Sequence, residues 1–144
     1  TQSGAILSGA DTATTTALSN YGLIIGMAFQ ILDDILDYEG TAEEFGKPVG
    51  NDLLQGTVTL PVLLMAEHSP QSVKQLKLSE EVGRPDRIAE FIESIKASSV
   101  LDEAYSVAWN YIDKALVNIS QLPAQKERQD LEDLATYLKQ RKFK

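Results

Sequence analysis

Apolar residues recur along the chain at spacings of three and four with little alternation, a period that predicts helices and no strands. "GAILSGA" reads as the tail of a helix whose small residues permit close packing. The segment that follows, "DTATTTALSNYGLIIGMAFQILDDILDY", predicts a long helix from about Thr14 to Tyr38. "GTAEEFGKPVGNDLLQG", Gly40 to Gly56, is rich in glycine and polar residues and reads as a loop with room for one short helical turn. Thr59 is placed to N-cap the next helix, with Pro61 in its first turn, and "SPQSVKQLKLS" reads as a short helix or turn.

Pro85 and Asp86 open a helix whose apolar face is Ile88, Phe91, Ile92 and Ile95. Leu101, Ala104, Tyr105, Ala108, Tyr111, Ile112, Ala115, Leu116 and Ile119 form a sustained stripe on the helix after it. Pro123 stops that helix and opens the last one, with Leu131, Leu134, Ala135 and Leu138 expected to face inward. No repeat or low-complexity linker interrupts the pattern, so the expectation is one all-α domain.

Composition narrows this further. A chain of 144 residues, 43% of them hydrophobic, is long enough to bury a real core. It has no cysteine, so disulfides and thiolate metal sites are excluded, and a reducing, cytoplasmic setting fits. His68, the one histidine, cannot make a His-rich zinc site or the Glu-x-x-His pairs of a di-iron bundle; it reads as a surface or capping residue. The net charge of −8 argues against nucleic acid and anionic membrane surfaces as partners. The unbroken apolar runs fall far short of the roughly 20 residues that span a bilayer. The amino terminus lacks both the basic start of a signal peptide and an initiator methionine, and reads as a piece of something longer.

Against that background the end of the long helix stands out. "FQILDDILDYEG" places Asp33, Asp34 and Asp37 just before a glycine stop. With Asp33 at zero and about 100° per residue, Asp37 falls near ~40°, Gln30 near ~60° and Asp34 near ~100°. The polar groups occupy one arc, apolar side chains fill the rest, and Gly22 and Gly26 leave bare backbone above the carboxylates. A helix so apolar is expected inside a bundle, with the acidic arc facing a cleft.

Negative charge there opposes the helix dipole by roughly 0.3–1 kcal/mol per group, and like charges three or four apart repel. A divalent cation resolves the conflict. Hard carboxylate ligands suit Mg²⁺, which keeps most of its waters and bridges to substrate phosphates. Helical aspartates without spaced loop ligands do not make an EF-hand. Lys47, between Gly46 and Pro48, reads alone as a solvated loop lysine, but beside the aspartates it fits a second clamp on a phosphate. Asp52 fits either a helix N-cap or an outer-shell acid, and spacing does not choose.

The string "YGLIIGMAFQILDDILDYEGTAEEFGKPVGNDLLQGTVTLP" resembles the second aspartate-rich region of the trans-isoprenyl diphosphate synthases, or polyprenyl synthetases. The likeness extends over essentially the whole chain, from "GAILSGAD" to "LPAQKERQDLEDLATYLKQRKF". It implies an all-α helical bundle, the C-terminal portion of the isoprenoid synthase fold, with residues 1–144 as the C-terminal half of one domain.

In that family two aspartate-rich motifs hold Mg²⁺ on an allylic diphosphate. This substrate ionises, alkylates isopentenyl diphosphate, and the product loses a proton. Carried over by position, Asp33, Asp34 and Asp37 are metal ligands and Lys47 contacts the allylic diphosphate. Gln30 faces the reacting allyl group as a catalytic residue, and Phe29 packs beside the isopentenyl site.

The first aspartate-rich motif and the upstream Lys-Thr pair are not in these 144 residues, and many members of the family carry a lysine at the place of Thr57. The isolated chain is therefore expected to be inactive. A homodimer or heterodimer is expected of the full-length protein, without nucleic acid or a transmembrane segment. "TAEEFGKPVGNDLLQG" is closer to the medium- and long-chain synthases than to the farnesyl type. Two other readings stand beside this one. A noncatalytic helical subunit or binding module has no reason to keep the acidic cluster. A terpene cyclase uses a different second metal motif.

Overall fold

Helix formation begins with two local devices placed back to back. α1, Gln2–Leu7, ends in a Schellman close: Gly9 takes a left-handed φ of 70°, Ala10 N–H donates to the Ala5 carbonyl at 3.0 Å, and Gly9 N–H to that of Ile6 at 3.1 Å. Two residues on, the Asp11 carboxylate accepts the Thr14 N–H at 2.7 Å and caps α2, Thr12–Glu39. That backbone hydrogen bond also holds the Asp11 carboxyl below its ordinary pKa. The cap explains why α2 starts before Thr14, where the apolar pattern alone would begin it.

Residues 1–39, 48–76 and 85–140 are described in this computed structural model. After α2 come α3 (Asn51–Leu54), α4 (Leu60–His68), α5 (Pro70–Leu76), α6 (Pro85–Lys96), α7 (Val100–Ser120) and α8 (Lys126–Gln140). Among the described residues there is no strand, as the periodicity requires. The chain is all-α.

The contacts divide the chain into two compact units, and α2 and α7 each run through both. Among the described residues, one unit holds Thr1–Gln30 with 107–140, and the other lies within Ile31–Ser106. The first has a core rich in small residues: Ala5, Ala17, Ala28, Ala108, Ala115 and Ala135 are buried with Tyr21, Ile112, Ile119 and Leu138. The Tyr21 hydroxyl donates to the Leu131 carbonyl at 2.7 Å. Arg128 closes the turn around Pro123, donating to the carbonyls of Ser120 at 3.3 Å and Leu122 at 2.8 Å.

The second unit is packed with larger groups: Leu32, Ile35, Leu36, Tyr38, Leu53, Val62, Ile88, Phe91, Ile92, Ile95 and Tyr105 are all buried. His68 is exposed, and its Nε2 lies 2.6 Å from Glu103 Oε2, joining the last turn of α4 to the first of α7.

Three expectations change. Leu134 does not face inward but is 48% exposed, whereas Ala135 and Leu138 are buried as expected. α2 is not enclosed on all sides, since Leu23, Met27 and Phe29 are substantially exposed. By length and composition this 28-residue helix could cross a membrane, although its unbroken apolar runs could not. It nevertheless contributes Tyr21, Leu32, Ile35 and Tyr38 to the two cores, as a globular helix does. Thr59 sits at the N-cap of α4 and Pro61 in its first turn, yet the threonine side chain makes no cap hydrogen bond.

Gly50 is the residue most constrained by this packing. It has φ 69°, its N–H donates to the Asp37 carbonyl at 2.7 Å, and an added Cβ would collide with Ile92 Cδ1. Gly50→Ala is expected to lower the free energy of unfolding by about 2–3 kcal/mol, read by chemical denaturation. A loss within experimental error would mean that Ile92 yields freely.

Candidate functional site

The last turns of α2 carry Asp33, Asp34, Asp37 and Glu39, and the helix has no basic residue in its final turn. Their environments differ. Asp33 is exposed, Asp34 is half-buried, and Asp37 is only 6% exposed. The continuous helix keeps Asp33, Asp34 and Asp37 on one arc. Within it, burial deepens toward the helix end.

Asp37 is held from the side of α3. Its Oδ2 accepts the Asp52 backbone N–H at 3.0 Å, while its own carbonyl accepts the Gly50 N–H. A carboxylate fixed by a backbone donor is charge-assisted and oriented. Asp52 lies inside the first turn of α3, and Gly50 takes the N-cap position, so the N-cap alternative for Asp52 is excluded. It serves Asp37 through its main chain.

The next two residues are fixed by other elements. The Tyr38 and Thr59 hydroxyls lie 3.1 Å apart in a buried hydrogen bond, which is where the absent cap of α4 has gone. The Tyr105 hydroxyl donates to Glu39 Oε2 at 2.6 Å. Burial raises the Tyr38 pKa to about 12; the negative charges of Asp37, Asp52 and Asp34 add to this, and the Thr59 hydrogen bond opposes it. Tyr105 is raised as well, first by burial, then by its hydrogen bond to Glu39 and the charges of Glu39 and Asp102. For both phenols burial is the leading cause, and the nearby carboxylates act in the same direction. That negative charge favours a cation.

Among the described residues, no three acidic or histidine side chains converge into a cage for one metal ion. The donor set suits a different arrangement. Accessible Asp33 and half-buried Asp34 offer hard oxygen ligands, while Asp37 behind them is already oriented. Such a set fits Mg²⁺, which takes one or two carboxylates and leaves its other positions to water and phosphate.

Phe29 is 41% exposed and Gln30 is exposed; they end the part of α2 that belongs to the first unit, whereas the aspartates lie on the part in the second. Lys47 lies outside the described residues. Sequence reasoning missed Tyr38, Thr59 and Tyr105 as partners of this helix end. Tyr38 and Tyr105 had a signal only as aromatics in apolar stripes.

Comparison with known proteins places the same region in context. A family model described as polyprenyl synthetase matches residues 1–100. Heptaprenyl diphosphate synthase component 2 of Bacillus subtilis is 44% identical over 142 residues, covering 99% of this chain and 40% of the relative. The chloroplastic solanesyl-diphosphate synthase 2 of Oryza sativa is 35% identical over 141 residues, which is 98% of this chain and 34% of that protein. The crystal structure of heptaprenyl diphosphate synthase from Staphylococcus aureus superposes with a TM-score of 0.90 at 38% identity, covering 99% of this chain and 45% of that one. A polyprenyl synthase from Caulobacter crescentus, complexed with calcium and isoprenyl diphosphate, gives 0.82 at 35% identity, over 99% and 44% of the two chains. The chain thus spans less than half the length of these proteins.

The buried tyrosine gives a pH test. A Tyr38 pKa raised from 10.0 to about 12 means the unfolded chain loses this proton first. The associated stability is complete below pH ~10 and is lost as pH rises through ~12. Thermal midpoints are expected to fall across that range, and less steeply in Tyr38→Phe. Equal slopes in the two proteins would show that Tyr38 does not supply the dependence.

Proposed function

This chain belongs to the polyprenyl synthetase family, and from that premise we propose that it carries the second-motif half of an Mg²⁺-dependent prenyltransferase. The reaction joins isopentenyl diphosphate to an allylic diphosphate. The allylic C–O bond breaks with its electron pair leaving on diphosphate, the isopentenyl double bond attacks the cation, and a proton is released. The observation that carries this reading is the graded arc of Asp33, Asp34 and Asp37, closed from behind by the Asp52 N–H.

Mg²⁺, when bound, neutralises the charge that develops on the departing diphosphate. Asp33 and Asp34 present their carboxylates to it, and Asp37, already oriented by Asp52, completes the set. Lys47 contacts the allylic diphosphate and adds positive charge on the leaving group. Gln30, three residues before Asp33, directs its side-chain carbonyl dipole to the allylic cation. Phe29 packs beside the isopentenyl group. Relatives named for heptaprenyl and solanesyl products support a medium- or long-chain polyprenyl diphosphate as the product class.

The negative field around these acids disfavours a free diphosphate and requires the cation first. A match to less than half of each relative supports a site whose other wall comes from further polypeptide. One relative is named as a component 2, which supports assembly as a homodimer or heterodimer.

Calorimetric titration of the 144-residue chain with a non-ionising allylic diphosphate analogue tests the reading. Binding is expected with Mg²⁺ and not with EDTA, and Asp33→Ala is expected to weaken it by roughly 10- to 100-fold. Absence of binding in both proteins would favour a noncatalytic helical module. A second expectation concerns turnover: the isolated chain incorporates no isopentenyl diphosphate. Clear turnover would show that one aspartate-rich wall suffices.

A further inference from the structure

Asp37, Tyr38 and Glu39 are consecutive, yet each is held by a different element. Asp37 is bonded to the start of α3 through Gly50 and Asp52, Tyr38 to Thr59 at the head of α4, and Glu39 to Tyr105 on α7. At about 100° per residue the three attachments are spread around the helix circumference rather than stacked on one side. With Asp33 at zero they lie near ~40°, ~140° and ~240°. A single anchor fixes a helix end in place but leaves it free to turn about its axis. Three anchors so distributed fix the rotation as well, and rotation decides where the carboxylates of Asp33 and Asp34 point.

We infer that Tyr105 is a positioning residue for the metal-binding end of α2, acting through its hydroxyl on Glu39. This rests on the metal reading above. Glu39 lies on the side of the helix away from the arc, so its carboxylate is not a ligand but a handle. Tyr105 is 1% exposed on α7, one of the longest helices, and its bond to Glu39 at 2.6 Å has the length of a charge-assisted contact. The ring packs in the core while the hydroxyl reaches the helix end. Removing only the oxygen therefore leaves the packing and takes away the one of these three attachments that lies on the side opposite the arc, which loosens the rotational setting. Outer partners of this kind commonly govern how well a metal site is formed without touching the ion.

The test uses the whole chain, with Mn²⁺ and inorganic diphosphate as probe and electron paramagnetic resonance as readout. Wild type is expected to bind the pair. Tyr105→Phe is expected to bind it roughly tenfold more weakly, with a broadened bound-Mn²⁺ spectrum. Amide hydrogen exchange over residues 31–39, measured without metal, is expected to rise in that variant. Tyr21→Phe provides the matched control, because Tyr21 is equally buried and also donates one hydrogen bond, to Leu131. It is expected to lose thermal stability without any change in Mn²⁺ binding.

Glu39→Gln keeps an acceptor for Tyr105 and is expected to bind within about twofold of wild type, whereas Glu39→Ala is expected to reproduce the Tyr105→Phe loss. This pair preserves the test should Tyr105→Phe fail to fold. Wild-type affinity in Tyr105→Phe or Glu39→Ala, or an equal loss in Tyr21→Phe, would overturn the positioning role alone. Failure of the wild-type chain to bind Mn²⁺ with diphosphate would overturn the metal reading and this inference with it.

Discussion

The end of α2 concentrates four acidic side chains near the negative pole of the helix dipole, and the helix carries no basic residue in its final turn. The structure resolves this by giving the charges different neighbours. Asp37 turns to a backbone donor of α3, and Glu39 takes the hydroxyl of Tyr105. Asp33 stays in contact with solvent and Asp34 is partly so. Asp37 Oδ2 and Glu39 Oε2 are held by donors of the fold, while Asp33 and Asp34 lie nearer to solvent. The packing of the second unit follows from this, because the elements that supply the donors must approach one helix terminus. Gly50 makes the closest approach possible, since a side chain there would strike Ile92.

Most of the helices were legible from the three-and-four spacing, because that spacing directly reports which side of each helix loses water. The acidic arc was legible for the same reason: three aspartates at those intervals must share a side. Hydrogen-bond partners across the fold were not. Thr59 has the right residue type and position for an N-cap, but the buried Tyr38 hydroxyl competes for its oxygen and wins. Nothing local distinguishes those two outcomes. Leu134 illustrates the other failure, since periodicity assigns a side chain to a face but does not say how far neighbouring elements extend over it. Asp11 moved the start of α2 because one cap outweighs the weak helix preference of the threonines after it.

The exposure of Leu23, Met27 and Phe29 has a related cause. α2 is apolar around most of its circumference, and its neighbours among the described residues cover only part of it. A helix apolar on so many sides shows apolar surface wherever no neighbour lies over it. The extent of that surface does not weaken the helix assignment. It reflects which sides those neighbours cover.

The alanines of the first unit lead to a different conclusion. Ala28, Ala108, Ala115 and Ala135 have no measurable solvent exposure, so the backbones of the helices that carry them approach closely. At such positions a methyl group already fills the available room. Sequence drift there can run only toward glycine, at a cost in helix propensity, because any larger side chain must wedge the rods apart. This unit is consequently brittle toward added bulk, whereas the second, built from isoleucine, leucine and phenylalanine, has scope for volume-conserving exchanges.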